Sequence, residues 1–348
     1  MHSLYGPIVR VAPDEVAYAH PDAWNDILLA RFPKDPTWWA PMPGASVGIV
    51  TFVDRDIHAA IRRQLSPGFT TRMLTVQEGV VHQYTDLLIS RWRDAITTTN
   101  PQVQPQAEVD VMRWFNYLTF DIFGDLAFGE SFSCLHNSSY HGWISLIFDN
   151  LKFNGAMIAA RFYPLVDSLL AKLIPASLQK AKEEHAQLVA DKVKRRMEGG
   201  EGRVDIMTGI LEGKETLPVG IVNQSFTELV VAGSETTAMA LSGAVNLLIH
   251  DGRVMERLVE EVRGRFKAFE EIDVQGVRDM VYLNAVLNEV LRLCPPVPLM
   301  PPRRVPEGGG TVCGRVLPGG VSFALYPFCF LGLEFWEKPI LSLQRVAY

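Results

Sequence analysis

A run of polar residues interrupts an otherwise apolar stretch at 226–250, and it consists of Ser234, Glu235, Thr236 and Thr237. A buried carboxylate is disfavoured unless it is paired or protonated, so its presence there indicates a site. An acid beside a hydroxyl can relay protons to a bound ligand. The preceding Ala232 and Gly233 would let a flat or bulky ligand lie against the backbone. The alternative is a kinked core helix whose Thr hydroxyls bond back to carbonyls, and the residue types favour neither.

Glu289 and Arg292 form a second constellation, three residues apart in an apolar helical pattern. That spacing places both side chains on one helix face, where they can form an ion pair. If the pair is buried, desolvation roughly offsets its attraction, so its value lies in fixing a local geometry. The alternative is an ordinary surface pair.

Basic residues form a third set, which consists of His58, Arg62, Arg303 and Arg304. The guanidinium fork of arginine suits a carboxylate or phosphate. Taken singly, each is a surface group or the partner of a nearby acid. Taken together with the acid and hydroxyl, they could surround one anionic ligand, although spacing alone does not bring them together.

A mostly helical chain must position these residues. The stretch 226–250 is apolar nearly all round and predicts a central helix buried in a large core. Further helices are predicted at 21–30, 54–65, 76–97, 109–128, 178–198, 253–266 and 277–293, with two less certain ones in 142–173. Short strands are predicted near both ends, within 4–20 and 303–326. The proline- and tryptophan-rich stretch 32–48 is expected to be ordered but irregular.

Composition limits the classes of function. The 348 residues are 48% hydrophobic and 21% charged, as in globular proteins, and their length allows two domains or one large helical domain. A net charge of −6 argues against a nucleic-acid-binding surface. Four widely spaced cysteines suggest neither a zinc site nor a disulfide framework. Neither a signal peptide nor a membrane span is expected in the chain as written.

The ordered motifs resemble those of a known family. AGSETT in a central helix, EVLR before CPPVP, and then PPRRVPEGG with a Gly/Pro hairpin resemble the cytochrome P-450 family of haem-thiolate monooxygenases. The strings YGPIVRVAPDEVAYAHPDAW, HAAIRRQLSPGF and FDIFGDLAFGESF are similar to filamentous-fungal members of secondary metabolism. The resemblance implies one mainly α-helical cytochrome P-450 domain with a small β region, C-terminally incomplete, over residues 1–326. Residues 327–348 would be a divergent tail.

The resemblance also implies roles for residues that match its motifs. Glu235 and Thr236 would be the catalytic acid and alcohol that deliver protons during dioxygen activation, and Ala232 and Gly233 would open the groove over the haem. The residues that would hold the haem propionates are His58, Arg62 and Arg303. Those that would form the structural ion pair of the haem-proximal core are Glu289 and Arg292. Segments 32–48 and 142–175 would border the substrate.

The implied activity is oxidation of a small apolar secondary metabolite, as in mycotoxin biosynthesis, with O2 and electrons from an NADPH-cytochrome reductase. No nucleic-acid partner is expected. The family implies the endoplasmic reticulum surface, but this chain has no recognisable membrane anchor, so the sequence leaves its location open.

The last part of the chain departs from the family pattern. The axial cysteine is expected in a Gly-x-Arg-x-Cys-x-Gly loop, and residues 327–348 contain no such loop. Cys329 comes too early and lacks those surroundings, so we assign no metal ligand. We expect a read-through intron or a shifted reading frame here. The alternative is a catalytically inactive fragment without an iron ligand.

Overall fold

A helix of 32 residues, α12 (Val219–His250), runs through the protein and carries the polar run of the sequence. The computed structural model describes residues 1–39, 46–98, 108–140, 155, 157–172, 176–199, 204–213, 217–298 and 300–325. The helices among these are α1 His2–Tyr5, α2 Pro21–Leu28, α3 Pro36–Trp39, α4 Arg55–Leu65, α5 Thr71–Thr98, α6 Val111–Phe128, α7 Cys134–Asn137, α8 157–160, α9 Pro164–Lys172, α10 Ala176–Glu198, α11 Thr208–Leu211, α12 Val219–His250, α13 Gly252–Arg265, α14 Val274–Arg278 and α15 Val281–Leu293. The predicted class, mainly α with a small β region, is confirmed.

The central helix buries one face against α6 and packs further against α10 and α15. Its buried side chains are those of Val222, Ser225, Phe226, Val230, Ser234 and Ala238. The largest hydrophobic core lies between these residues and the aromatic side chains of α6, where Phe128 lies 5.7 Å from Phe226 between ring centroids. Burying several such rings is the main stabilising contribution to this helix pair. The prediction of a central helix buried in a large core holds for this face, whereas Ala232, Thr237 and Met239 are exposed.

A four-stranded sheet joins the two ends of the described chain. Strands β1 (Ile8–Ala12) and β2 (Glu15–Tyr18) form the predicted antiparallel hairpin, and β3 (Met300–Arg304) pairs with β6 (Ser322–Leu325). Strand β2 also pairs in parallel with β6, giving the order β1-β2-β6-β3. A separate hairpin joins β4 (Gly310–Val312) to β5 (Arg315–Leu317). This sheet places Arg303 next to Lys34 through an isolated bridge.

The predicted helix 277–293 was wrong as one element, because it is divided into α14 and α15. Met280 is extended, and the Glu261 carboxylate on α13 accepts the backbone N–H groups of Tyr282 and Leu283 at 2.9 and 2.8 Å. An acid supplied by a neighbouring helix thus satisfies the free donors at the start of α15. The helix propensities of residues 277–293 therefore do not reveal this break, because the residue that stabilises it lies on α13.

Several predictions fall outside the described residues. The tail 327–348 with Cys329, all of 142–154 and residues 40–45 of the segment 32–48 lie there. The division into one domain over 1–326 and a tail stays a prediction. Within the described part of the chain, no helix combines the length and apolar character that crossing a membrane requires.

Candidate active site

The acid and hydroxyl of the polar run lie on an unbroken part of α12. The hydroxyl of Thr236 donates to the Ala232 carbonyl at 2.6 Å, and that of Thr237 donates to the Gly233 carbonyl at 2.9 Å. Both hydroxyls therefore bond back to the preceding turn, yet the helix continues through them without interruption. Burial raises the pKa of the half-buried Glu235 carboxyl above its ordinary value. Glu235 thus retains a proton at higher pH than an exposed glutamate does.

Gly233 and Ser234, the two residues before Glu235, face α6. Ser234 is fully buried and donates to the Thr119 carbonyl of α6 at 3.4 Å. A Cβ at Gly233 would lie 2.7 Å from the Phe123 ring, which is too close for any real side chain. Gly233 therefore permits the close approach of the two helices, and its predicted role in a ligand groove stays a prediction. Ala232 is exposed and one turn from Thr236, so an open face of α12 carries a small residue beside the hydroxyl.

Basic side chains from three elements converge on one region, and these are Lys34, His58, Arg62 and Arg303. Burial lowers the pKa of His58, and the positive charges of Lys34, Arg62 and Arg303 lower it further. Burial also lowers the pKa of Lys34 to about 8, with a further contribution from Arg303. Mutual effects of this kind require short separations, so the structure brings together the three residues His58, Arg62 and Arg303 that lie apart in the sequence. We call these four residues the cation cluster.

Arg303 has unused hydrogen-bonding capacity. Its Nε is buried and has no hydrogen-bond partner among the described residues, and burial lowers the pKa of its guanidinium. A buried donor without an acceptor is costly, and an anion at this position would remove that cost. The cation cluster therefore has the composition and the open donor of an anion site.

The neighbouring Arg304 has a different task. Its guanidinium lies 3.0 Å from the carboxylate of Asp35, whose side chain is 1% exposed. Asp35 also accepts a hydrogen bond from Ser322 on β6 and caps the first turn of α3 through the backbone N–H of Thr37 at 2.7 Å. Arg304 thus ties a loop to the sheet, whereas the adjacent Arg303 remains open to a ligand. Residue type alone does not distinguish the two arginines. They differ because successive side chains of strand β3 point to opposite faces of the sheet.

Glu289 and Arg292 form a forked ion pair on α15, with N–O distances of 2.7 and 2.5 Å. Their side chains are 11% and 20% exposed, so the pair is largely removed from water. The second terminal nitrogen of Arg292 is buried without a hydrogen-bond partner among the described residues. The geometry is that of a structural pair, and its predicted place in a haem-proximal core stays a prediction.

Sequence reasoning missed two charged residues that border this region, Lys34 and Glu228. Glu228 lies on α12 seven residues before Glu235, and its carboxylate accepts three hydrogen bonds from surrounding groups. The pattern that identified Glu235, an acid within an apolar helix, also applies to Glu228. Lys34 gave no signal, since a single lysine in a proline-rich stretch is normally a surface residue.

Comparison with known proteins adds independent findings. The family model described as Cytochrome P-450 matches residues 1–340. The chain is 35% identical to the cytochrome P-450 monooxygenase astJ of Aspergillus oryzae, covering 93% of this chain and 65% of that protein. It is 37% identical to the monooxygenase FUM2 of Gibberella moniliformis, covering 94% and 70%. The chain thus spans slightly less than two thirds of the length of astJ.

A solved structure shows the same fold. The heme domain of the protein named cytochrome P-450DA superposes with a TM-score of 0.71 at 16% sequence identity. The superposition covers 92% of this chain and 68% of that domain. At this identity the likeness concerns the fold, and roles of individual residues do not follow from it.

Proposed function

The chain belongs to the cytochrome P-450 family, close to fungal monooxygenases of secondary metabolism, and from that premise we propose a function for it. It inserts one oxygen atom from O2 into a small apolar metabolite, using electrons that an NADPH-cytochrome reductase supplies. The observation that carries the proposal is the cation cluster with its unpaired buried Arg303 donor.

The cation cluster fits one end of a haem. Haem carries two propionate carboxylates, and a buried arginine fork and neighbouring bases are groups that bind carboxylates. Arg303 would donate through its unpaired Nε, and Lys34, His58 and Arg62 would share the remaining negative charge. On α12, Ala232 is exposed and small enough for a flat ring to approach the helix.

Haem, when bound through a thiolate, supplies the activation of dioxygen. The chain's own contribution is proton handling on the open face of α12. Burial raises the pKa of Glu235, which favours the protonated carboxyl, and in that form the carboxyl would donate a hydrogen bond to the Thr236 hydroxyl oxygen. The bond from Thr236 to the Ala232 carbonyl keeps the hydroxyl in a defined position until it donates elsewhere. An acid and an alcohol that are adjacent in the sequence would then supply protons to the bound ligand.

A labelled-oxygen experiment tests this function. The haem-reconstituted chain would be incubated with NADPH, a flavin-containing reductase and a panel of apolar fungal metabolites under heavy-isotope O2. We expect mass spectrometry to find a product one labelled oxygen atom heavier than its substrate. A haem-loaded chain that consumes no NADPH and yields no labelled product with any substrate would contradict the proposal.

A second candidate function is a haem- or metabolite-binding chain without turnover. It is favoured by the placement of the three cysteines among the described residues. Cys134 is fully buried, and burial together with Asp26 raises the pKa of the Cys313 thiol. Cys294 lies at the end of α15 against Gly243. This candidate predicts haem binding with no labelled product in the same experiment.

A further inference from the structure

The segment 48–52 is fastened to α12 by side chains of that helix. Val50 donates its backbone N–H to one oxygen of the Glu228 carboxylate at 2.6 Å, and the Thr51 hydroxyl donates to the other at 2.7 Å. Ser225, one turn earlier, accepts the backbone N–H of Ile49 at 3.0 Å. Glu228 accepts two of these three hydrogen bonds and is therefore the main attachment of this segment.

The segment approaches α12 too closely for a side chain at its first residue. A Cβ at Gly48 would lie 2.6 Å from a Glu228 carboxylate oxygen and 2.8 Å from the backbone of Gln224. Within the segment, Phe52 donates its backbone N–H to the Gly48 carbonyl at 3.0 Å, which closes a turn. From the other side, the Lys34 ammonium donates to the Val50 carbonyl at 2.6 Å. The segment is thus held between α12 and the cation cluster.

Its place along α12 relates it to the acid and hydroxyl. Glu228 and Glu235 are seven residues apart, which puts them on the same helix face about 10 Å from each other along the axis. The segment 48–52 therefore stands two turns from Glu235 on the face that carries it. A small metabolite above Ala232 and Thr236 would meet this segment as the end wall of its groove.

We propose that Glu228 is a positioning residue whose carboxylate fixes the segment 48–52 against α12 and thereby sets the end wall of the ligand groove. That the groove holds a ligand rests on the proposed function, whereas the attachment of the segment 48–52 to α12 does not. Glu228 touches the wall and does not act on the reacting atoms. Its removal should therefore loosen the wall and change ligand fit, while the acid and hydroxyl stay in place.

The attachment also depends on pH. Burial raises the pKa of Glu228, although hydrogen bonds from Thr51, Val50 and Gln224 and the charge of Lys34 oppose that effect. Lys34 is the charged group that faces Glu228, and behind it lie Arg303 and His58. Because the pKa is raised in the buried state, the attached segment holds the Glu228 proton more tightly than a detached, solvated Glu228 would. The attachment should therefore be strongest below the ordinary value of 4.5 and weaken as pH rises through the folded-state pKa.

Hydrogen–deuterium exchange of the full chain tests the attachment without any turnover. In Glu228→Ala, the amides of Ile49 and Val50 should exchange about tenfold faster or more than in the wild type. Glu256→Ala, which removes an exposed glutamate from α13, is the matched control and should leave the rate unchanged. Equal exchange in Glu228→Ala and wild type would overturn the proposal. Should Glu228→Ala fail to fold, Thr51→Val removes one donor with little change of shape, and unchanged exchange there would count against the proposal equally.

Two further arms separate positioning from mere stability. In the wild type, exchange corrected for intrinsic rates should rise as pH increases from the ordinary glutamate value of 4.5 through the folded-state pKa, whereas in Glu228→Gln it should not depend on pH. A pH response identical in both proteins would overturn the role of the carboxylate. If the chain oxygenates a metabolite, Glu228→Ala should raise KM about tenfold and change kcat less than about twofold. Loss of kcat alone would contradict the wall, and absence of any turnover would leave the exchange result unaffected.

Discussion

At the scale of single residues, two acids inside the apolar helix α12 belong to the site: Glu235 of the proposed proton relay and Glu228, which holds the segment 48–52. Glu235 faces the open side of α12, where burial raises its pKa, and Glu228 binds the backbone of segment 48–52. The rule that a buried carboxylate needs a partner identified Glu235 from sequence, and it applies equally to Glu228. Glu228 was overlooked because no unusual neighbours surround it, and its partners come from residues nearly 180 positions earlier in the chain.

We expect Thr236→Ala to uncouple electron consumption from product formation, because it removes the hydroxyl that passes protons from Glu235. Product formed per NADPH consumed should fall by about tenfold or more. Thr236→Ser keeps the hydroxyl and is the control, with a ratio close to that of wild type. An unchanged ratio in Thr236→Ala would remove Thr236 from the proposed catalytic pair.

Glu235→Gln should stabilise the chain slightly at neutral pH. Because the folded-state pKa of Glu235 is raised, the native state resists its ionisation, and stability is lost as pH rises from the ordinary value of 4.5 through the folded pKa. Glutamine avoids that loss, so its Tm should exceed that of wild type by no more than about 2 °C at pH 7.5. The difference in Tm between Glu235→Gln and wild type should vanish below pH 4.5. A difference that grows as pH falls would contradict a raised folded-state pKa for Glu235.

At the scale of elements, contacts between helices determine features that sequence periodicity does not predict, namely where one helix breaks and where a glycine is required. The predicted helices of the middle of the chain appear at their expected places, because each carries its own apolar pattern. Helices α5 and α12 begin five and seven residues before their predicted starts. The break between α14 and α15 was missed, since Glu261 on α13 provides it. Likewise, only the packing of α12 on α6 shows that Gly233 must lack a side chain.

Two matched glycine substitutions on α12 test that packing. Gly233→Ala should destabilise the fold by about 1–3 kcal/mol, because its Cβ would overlap the Phe123 ring. Gly220→Ala meets nothing within 4 Å and should be neutral or stabilising by up to about 1 kcal/mol. Denaturant unfolding would measure both. If Gly233→Ala proved as harmless as Gly220→Ala, the close approach of α6 and α12 would be wrong.

The ion pair of α15 makes a further prediction. Arg292→Ala leaves the Glu289 carboxylate unpaired while it is 11% exposed, and should cost about 3 kcal/mol or more. Soluble yield and the unfolding midpoint would report this loss. Arg292→Lys retains the charge but not the fork and should recover only part of the stability. A soluble Arg292→Ala chain with a wild-type midpoint would show that the pair contributes nothing.

At the scale of the whole molecule, a sheet made from both ends brings the basic residues together. Strand β2 pairs with β6, and Lys34 bridges to Arg303, across more than 260 residues of sequence. The sequence predicted the strands and the basic residues but not their meeting, because long-range pairing depends on register that local propensity does not encode. The family resemblance filled that gap for His58, Arg62 and Arg303 and left Lys34 unassigned.

The most direct test of the central claim is a titration of the full chain with haem, followed by absorbance. We predict one haem per wild-type chain, and an affinity reduced by about tenfold or more in Arg303→Met, because the buried donor to a propionate is lost. Arg265→Met, which removes an exposed arginine of α13, should bind as the wild type does. Equal affinity in Arg303→Met and wild type, or no stoichiometric binding at all, would contradict the assignment of the cation cluster as a haem site.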